Sequence, residues 1–175
     1  MKVVIANNTS ANIYLGSPSG TCEFGFSVFQ GQTELQPSRE TCALTCGELQ
    51  TDGCDCVSQC VSIVTLVAPG GTYDIGWPGT VFTAHDMPAS CLADATCSGN
   101  GCLMEEAAPE GALAIKVAAY PDKQCAQGQQ CSDCTPGGLK KNCTVFGASA
   151  TAGTPLSGSA TWTGESTVQI SFTGQ

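Results

Sequence analysis

The chain has 175 residues, of which 12% are charged and 6% aromatic, with a formal net charge of −9; an average soluble domain is about 25% charged. Its six cations, Lys2, Arg39, Lys116, Lys123, Lys140 and Lys141, form no basic patch, which makes nucleic acid and anionic membrane poor partners on electrostatic grounds. No run of about 18 apolar residues is present, so no membrane-spanning helix is expected.

The opening MKVVIANNTS alternates like a strand and lacks the long apolar centre of a signal peptide. Because Met1 runs directly into that strand, the expectation is a mature form from which an export signal has been trimmed. Residues 2–6 and 11–16 read as two short strands about the turn Asn7-Asn8-Thr9-Ser10, with Val3, Ile5, Ile13 and Leu15 as their apolar face. Residues 24–30 continue as a strand with Phe24, Phe26 and Val28 on one side, and Pro37-Ser38 closes a hairpin-rich section. A short helix capped by Ser38 is expected within residues 38–49. Cys42, Cys46, Cys54, Cys56 and Cys60 then crowd an insertion that has almost nothing large and apolar.

Residues 61–68 form a near-continuous apolar strand. Pro69-Gly70-Gly71 turns the chain into residues 72–77, and Pro78-Gly79 turns it into residues 80–84. Turn signals about 8–12 residues apart mark a sandwich or barrel rather than a βαβ fold. A loop at 85–111 holds Cys91, Cys97 and Cys102 and the acidic pair Glu105-Glu106. Leu113, Ile115, Val117 and Ala119 line one face of a strand ending at Tyr120. A second cross-linked loop, 121–143, carries Cys125, Cys131, Cys134 and Cys143. Two terminal strands follow at 157–163 and 166–173, the last with Val168, Ile170 and Phe172 in strict alternation. These elements predict one all-β domain over residues 1–175, an antiparallel Ig-like β-sandwich. Its long disulfide-stapled loops are Cys-rich insertions at about 38–60, 85–111 and 121–143. Loops this long and this poor in propensity need staples, and closing one of about 15 residues contributes roughly 3 kcal/mol in the chain-entropy model.

Thirteen cysteines argue for an extracytoplasmic protein, secreted, periplasmic or on the outer surface, with a lipid anchor in the precursor left open. If bonds form within groups, Cys22 completes the 42–60 cluster, the last four pair among themselves, and the leftover thiol falls among Cys91, Cys97 and Cys102. A cysteine lost with a trimmed precursor would also explain the odd count.

The segments LVAPGGTYDIGWPGTVF, EGALAIKVAAY and GTPLSGSATWT, with spaced cysteines between them, resemble secreted Cys-rich proteins and lipoproteins of Gram-negative bacteria. That resemblance implies a secreted β-sandwich and no particular chemistry. Pro69-Gly70, Trp77, Gly111 and Tyr120 lie in a pattern similar to the BsuPI-type proteinase inhibitors, Ig-like sandwiches that lack the cysteines. NNTS, PGG, WPGTVF and the Cys-x-Gly-Asn-Gly-Cys at 97–102 give a fainter likeness to thaumatin-like proteins.

Cys54, Cys56 and Cys60 place soft donors close together, as zinc or cuprous copper prefers, yet their spacing fits no paired C-x₂₋₄-C site, and disulfide staples are the expected role. Cys131-Ser132-Asp133-Cys134 is the sole C-x-x-C and, lacking a following helix, reads as structural. His85, the sole histidine, stands beside Asp86 and Met87, a candidate metal ligand. A triad needs an acid on the far ring nitrogen and a nucleophile elbow, and neither is offered, so no catalytic residue is assigned. Glu105, Glu106 and Glu110 match no calcium loop. Asn7, Asn8 and Asn142 fall in N-x-S/T sequons, meaningful only in a glycosylating host. Trp77 and Trp162 read as core or edge residues; exposure of both on one face would suggest a binding surface. The functional expectation is a non-enzymatic binding or structural protein without cofactor, presenting rigid loops to a protein or surface glycan. The alternatives are a BsuPI-like proteinase inhibitor, a thiolate metal-binding module, and a self-associating subunit of an extracellular fibre or coat.

Overall fold

A computed structural model describes residues 1–16, 25–38, 44–51, 64–86, 88, 90 and 101–174. Within them the chain runs through β1 (Lys2–Asn8), β2 (Ile13–Gly16), β3 (Phe26–Gln30), β4 (Thr33–Leu35), the helix α1 (Cys46–Thr51), β5 (Val64–Val67), β6 (Gly71–Gly76) and β7 (Thr80–Asp86). It continues through β8 (Gly101–Ala107), β9 (Leu113–Ala119), β10 (Asp122–Cys125), β11 (Asn142–Thr144), β12 (Ala148–Ala152), β13 (Leu156–Trp162) and β14 (Thr167–Thr173). The all-β class expected from the sequence is what the chain adopts.

Period-2 patterning builds the two principal layers. In one sheet, ordered β14-β1-β6, Val3 and Ile5 of β1 and Val168, Ile170 and Phe172 of β14 are buried. In the other, ordered β13-β9-β3-β4, Phe26 and Val28 of β3 and Leu113, Ile115, Val117 and Ala119 of β9 are buried. These side chains belong to one apolar cluster between the sheets, and each aliphatic one contributes about 1.5–3 kcal/mol on leaving water. Trp77 fills the same cluster at 1% exposure. It packs edge-on to Phe26 at 6.1 Å and Trp162 at 5.5 Å, and its indole N–H donates to Thr80 O at 2.8 Å. The two tryptophans therefore serve the core: Trp77 is buried and Trp162 partly so, which removes the idea of a shared exposed tryptophan face.

Several sequence expectations need correction. The sheets are not uniformly antiparallel, because β1 pairs in parallel with β14, from Lys2 opposite Thr167 to Asn8 opposite Thr173. The first two strands do not form a hairpin: β1 also pairs with β6, whereas β2 pairs with β5 in the sheet β11-β5-β2. The cause is Asn7, fully buried. Its amide N–H₂ donates to Ala11 O and to Val67 O, each at 2.8 Å, while its Oδ1 accepts from Thr9 N and Thr9 Oγ1. This side chain ties the turn to β5 and leads the chain out of one sheet into another. The helix starts at Cys46 rather than after Ser38, with Thr45 as its cap. Glu48 Oε2 accepts from Thr45 N at 2.7 Å, and Thr45 Oγ1 accepts from Glu48 N at 3.2 Å, a capping box. The region 85–111 is not all loop, since β8 pairs along β7 from Thr80–Ala107 to Asp86–Gly101. Nor is 121–143, which contains β10 and the start of β11, and β12 was not foreseen. Phe24, expected beside Phe26, lies outside the described residues.

The layers approach closely at Gly158 of β13, where a Cβ would sit 2.5 Å from Ile170 Cγ2 and 3.1 Å from the Phe172 ring. Gly158→Ala is therefore expected to push β13 off β14 and cost about 1–3 kcal/mol, read as a lower urea midpoint at unchanged slope. A neutral substitution would show that the layers yield there.

Candidate functional site

The segment from Pro121 to Gly147 is the stapled region described throughout, and it is assembled on the sheet β11-β5-β2. Two short-range disulfides, Cys125–Cys131 and Cys134–Cys143, divide it. Beneath them Tyr14, Val64, Leu66 and Val145 form a second buried cluster, against which Cys131, Cys134 and Cys143 pack. The loop thus carries a small core of its own, made largely from sulfur and the aliphatic side chains of β5.

A polar anchor completes the docking. The Tyr14 hydroxyl donates to Asp133 Oδ1 at 2.7 Å, and Lys123 Nζ lies 2.7 Å from the same oxygen and 5.0 Å from the Tyr14 ring centre. Burial first, and then the hydrogen bond to Asp133, raise the Tyr14 pKa above its ordinary value. The hydrogen bond to Lys123 holds Asp133 below the usual carboxylate range, and the same bond raises Lys123. This trio joins β2, β10 and the C-x-x-C segment, and it keeps the loop pressed to the sheet.

The tip of the segment is the turn at 138–141, closed by an antiparallel bridge between Gly137 and Asn142. Gly138 at φ 65° and Lys141 at φ 47° supply its two left-handed positions. Its carbonyls are taken up by the neighbouring β5–β6 turn. Lys140 O accepts from Thr72 N at 2.7 Å, Lys141 O accepts from Ala68 N at 3.0 Å, and Asn142 Nδ2 donates to Thr72 O. The approach is so close that a Cβ on Gly71 would lie 2.8 Å from Ala68 O, Lys140 O and Lys141 O. Lys140 Nζ also reaches Asp74 Oδ2 at 2.9 Å, which Lys2 meets from the other side at 3.3 Å. These hydrogen bonds with lysine, Lys140 foremost, hold Asp74 below its ordinary pKa. On this tightly held turn Leu139 is 100% exposed, and Phe146, in the turn after β11, is 82% exposed.

The remaining candidates fall elsewhere. Cys46 bonds to Cys102, so this bridge runs between the first and middle cysteine groups, where bonds within groups were expected. The link buries Leu49 of α1 against Cys102 and sets Leu44 O to accept from Leu103 N on the edge of the β7–β8 ribbon. The last group does pair internally, and each half of its C-x-x-C bonds outside the motif. Cys22, Cys42, Cys54, Cys56, Cys60, Cys91, Cys97 and Met87 lie outside the described residues, and with them the expected unpaired thiol and the thiolate site. His85 is exposed, with Nε2 3.1 Å from Thr83 Oγ1 and 3.7 Å from Glu106 Oε1. Glu105 and Glu106 project to opposite faces of β8, and Glu105 accepts from the Thr80 hydroxyl at 2.7 Å. Among the described residues no three histidine, cysteine or acidic side chains are grouped to hold a metal ion. No helix of the described residues is long and apolar enough to cross a membrane. Comparison with known proteins finds no matching family model, no matching curated protein and no matching solved structure.

Sequence reasoning missed the Tyr14–Asp133–Lys123 trio, whose members come from three distant segments, and it missed Leu139 and Phe146. The trio carries a pH dependence of defined sign. Asp133, with its folded pKa depressed, contributes stability above its unfolded pKa of about 3.9 and loses it as pH falls through the folded value. Lys123 and Tyr14, both raised, contribute below about pH 10 and lose it as pH rises through theirs. Asp133→Asn is expected to lower the urea midpoint at pH 7 modestly, within about 1 kcal/mol for a carboxylate this exposed. The wild-type advantage should close near pH 2; a gap of the same size there would mean that the charge has no part in it.

Proposed function

We propose that the chain is a non-enzymatic extracytoplasmic protein, secreted or at a cell surface, that presents its stapled 121–147 segment to a partner protein. The observation that carries this reading is that Leu139 is fully exposed on a turn whose backbone is tightly held, with Phe146 exposed in the turn that follows β11. An exposed apolar side chain on a fixed backbone docks without ordering its loop, at the cost of its own rotamer freedom only, and an exposed aromatic is a frequent anchor of a binding hot spot. The three disulfides among the described residues support an oxidising compartment. The likeness to secreted Cys-rich proteins of Gram-negative bacteria agrees with it. An Ig-like sandwich is supported by two facing sheets around a buried tryptophan. The inhibitor alternative is less well served, because a substrate-like loop must lie extended in a protease cleft and the 138–141 turn is closed by the Gly137–Asn142 bridge.

The test compares the oxidised wild-type chain with a Leu139→Ser/Phe146→Ser double variant. Partners are captured from the extracytoplasmic fraction of the producing cell and then measured pairwise after purification. Both positions face solvent, so the thermal midpoint should be nearly unchanged, while affinity for the partner should fall about thirtyfold or more. Equal affinity of the two proteins would remove this surface from the account.

A further inference from the structure

The outer face of the β13-β9-β3-β4 sheet holds a feature that the stapled loops do not use. A shallow cleft of about 410 Å³ lies over three of its strands, lined by Ser27 and Phe29 of β3, Lys116 of β9, and Ser157, Gly158 and Ser159 of β13. The register places Ser27 opposite Lys116 and Lys116 opposite Ser159, so hydroxyl, ammonium and hydroxyl stand in one cross-strand row. Adjacent strands are about 4.8 Å apart, giving the row a span of about 10 Å, the scale of one or two sugar rings. The ammonium of Lys116 rests 3.8 Å above the centre of the Phe29 ring.

Charge sets Lys116 and Lys141 apart from the other described lysines. Among the five described lysines, Lys2, Lys123 and Lys140 each lie within 4.0 Å of a carboxylate. Lys116 has the Phe29 ring alone, and the hydroxyls of Ser27, Ser157 and Ser159 make no hydrogen bond to another described residue. A ring contact of this kind at an exposed site is weak and readily exchanged.

The rest of the face narrows the occupant. Strands β3 and β9, which carry Ser27, Phe29 and Lys116, are hydrogen-bonded on both sides, so over these two strands recognition falls to side chains. The net charge of −9 repels a densely charged polyanion. What complements an isolated ammonium flanked by free hydroxyls is a molecule with one carboxylate and many hydroxyls. We propose that this face binds an acidic sugar residue of a glycan, its carboxylate on Lys116 Nζ and its hydroxyls on Ser27 and Ser159.

The experiment is a titration of the oxidised full-length chain, followed by amide chemical shifts, with a glucuronate-terminated disaccharide and separately with its neutral glucose counterpart. The expected result is weak saturable binding, with a Kd on the order of 1 mM. Shifts should centre on Ser27, Lys116 and Ser159, and the neutral sugar should bind at least about tenfold more weakly. Lys116→Met should lose about tenfold or more of the affinity, whereas Lys141→Met, which removes another lysine without a carboxylate partner, should leave it unchanged. Absence of shifts at tens of millimolar ligand, equal binding of the neutral sugar, or equal loss in the two lysine variants would each overturn the proposal. So would tighter binding of a blocked acidic tetrapeptide at the same residues, which would assign the face to a peptide.

Discussion

The parallel pairing of β1 with β14 is the constraint from which the rest of the structure follows. It places the first and last strands side by side, so Val3 and Ile5 meet Val168 and Ile170 in one buried surface. Parallel neighbours need a crossover connection, and here the crossover is nearly the whole chain. Apart from β6, the described strands between lie outside this sheet. Closure of this kind is entropically costly, because the loop-closure entropy is lost before the long-range contacts offset it. The core that rewards it is mainly aliphatic, with Trp77, Phe26 and Phe172 as its buried aromatics.

Within that frame the staples do two different jobs. Cys46–Cys102 spans a separation of 56 residues and joins two insertions; in the chain-entropy model it contributes about 4 kcal/mol. Cys125–Cys131 and Cys134–Cys143 span separations of 6 and 9 residues and contribute about 2–3 kcal/mol each on the same basis. The long bridge restricts the unfolded chain more. The short ones matter through what they pack against, because Cys131, Cys134 and Cys143 join Val145 in covering Val64, Leu66 and Tyr14.

How much of this could be read from residues alone depends on the range of the interaction. Strands whose pattern is local and strict were legible: β9 and β14 bury every second residue, and β13 was expected within one residue of its bounds. The capping box at Thr45 and Glu48 is readable as T-x-x-E, although Ser38 offers a competing cap upstream. β8 was hidden because Glu105 and Glu106 break its apolar alternation and resemble loop composition; β12, an Ala/Ser/Thr run, has little β-branched content. The partner of each strand was not legible. Neither the departure of β2 from β1 nor the Cys46–Cys102 bridge follows from spacing, since both are set by contacts such as Asn7 to Val67 that span most of an insertion. Of the candidate site, the cysteines announced themselves, whereas Leu139, Phe146 and Lys116 acquire meaning only from exposure and from what surrounds them.

Asn7 has one further consequence. Its side-chain nitrogen is the atom to which an oligosaccharide would be joined in a host that modifies N-x-S/T sequences, and both its protons are engaged, to Ala11 O and Val67 O, at a position with no solvent exposure. Asn8, the next residue and the start of an overlapping sequon, is exposed. In such a host the two neighbours would stand on opposite sides of folding. Modification at Asn8 is compatible with the finished sheet, while modification at Asn7 before the sheet closes would leave the turn without its plug. Production in a non-glycosylating cell avoids that fork, and the identity of the expression host thereby becomes a structural variable for this protein.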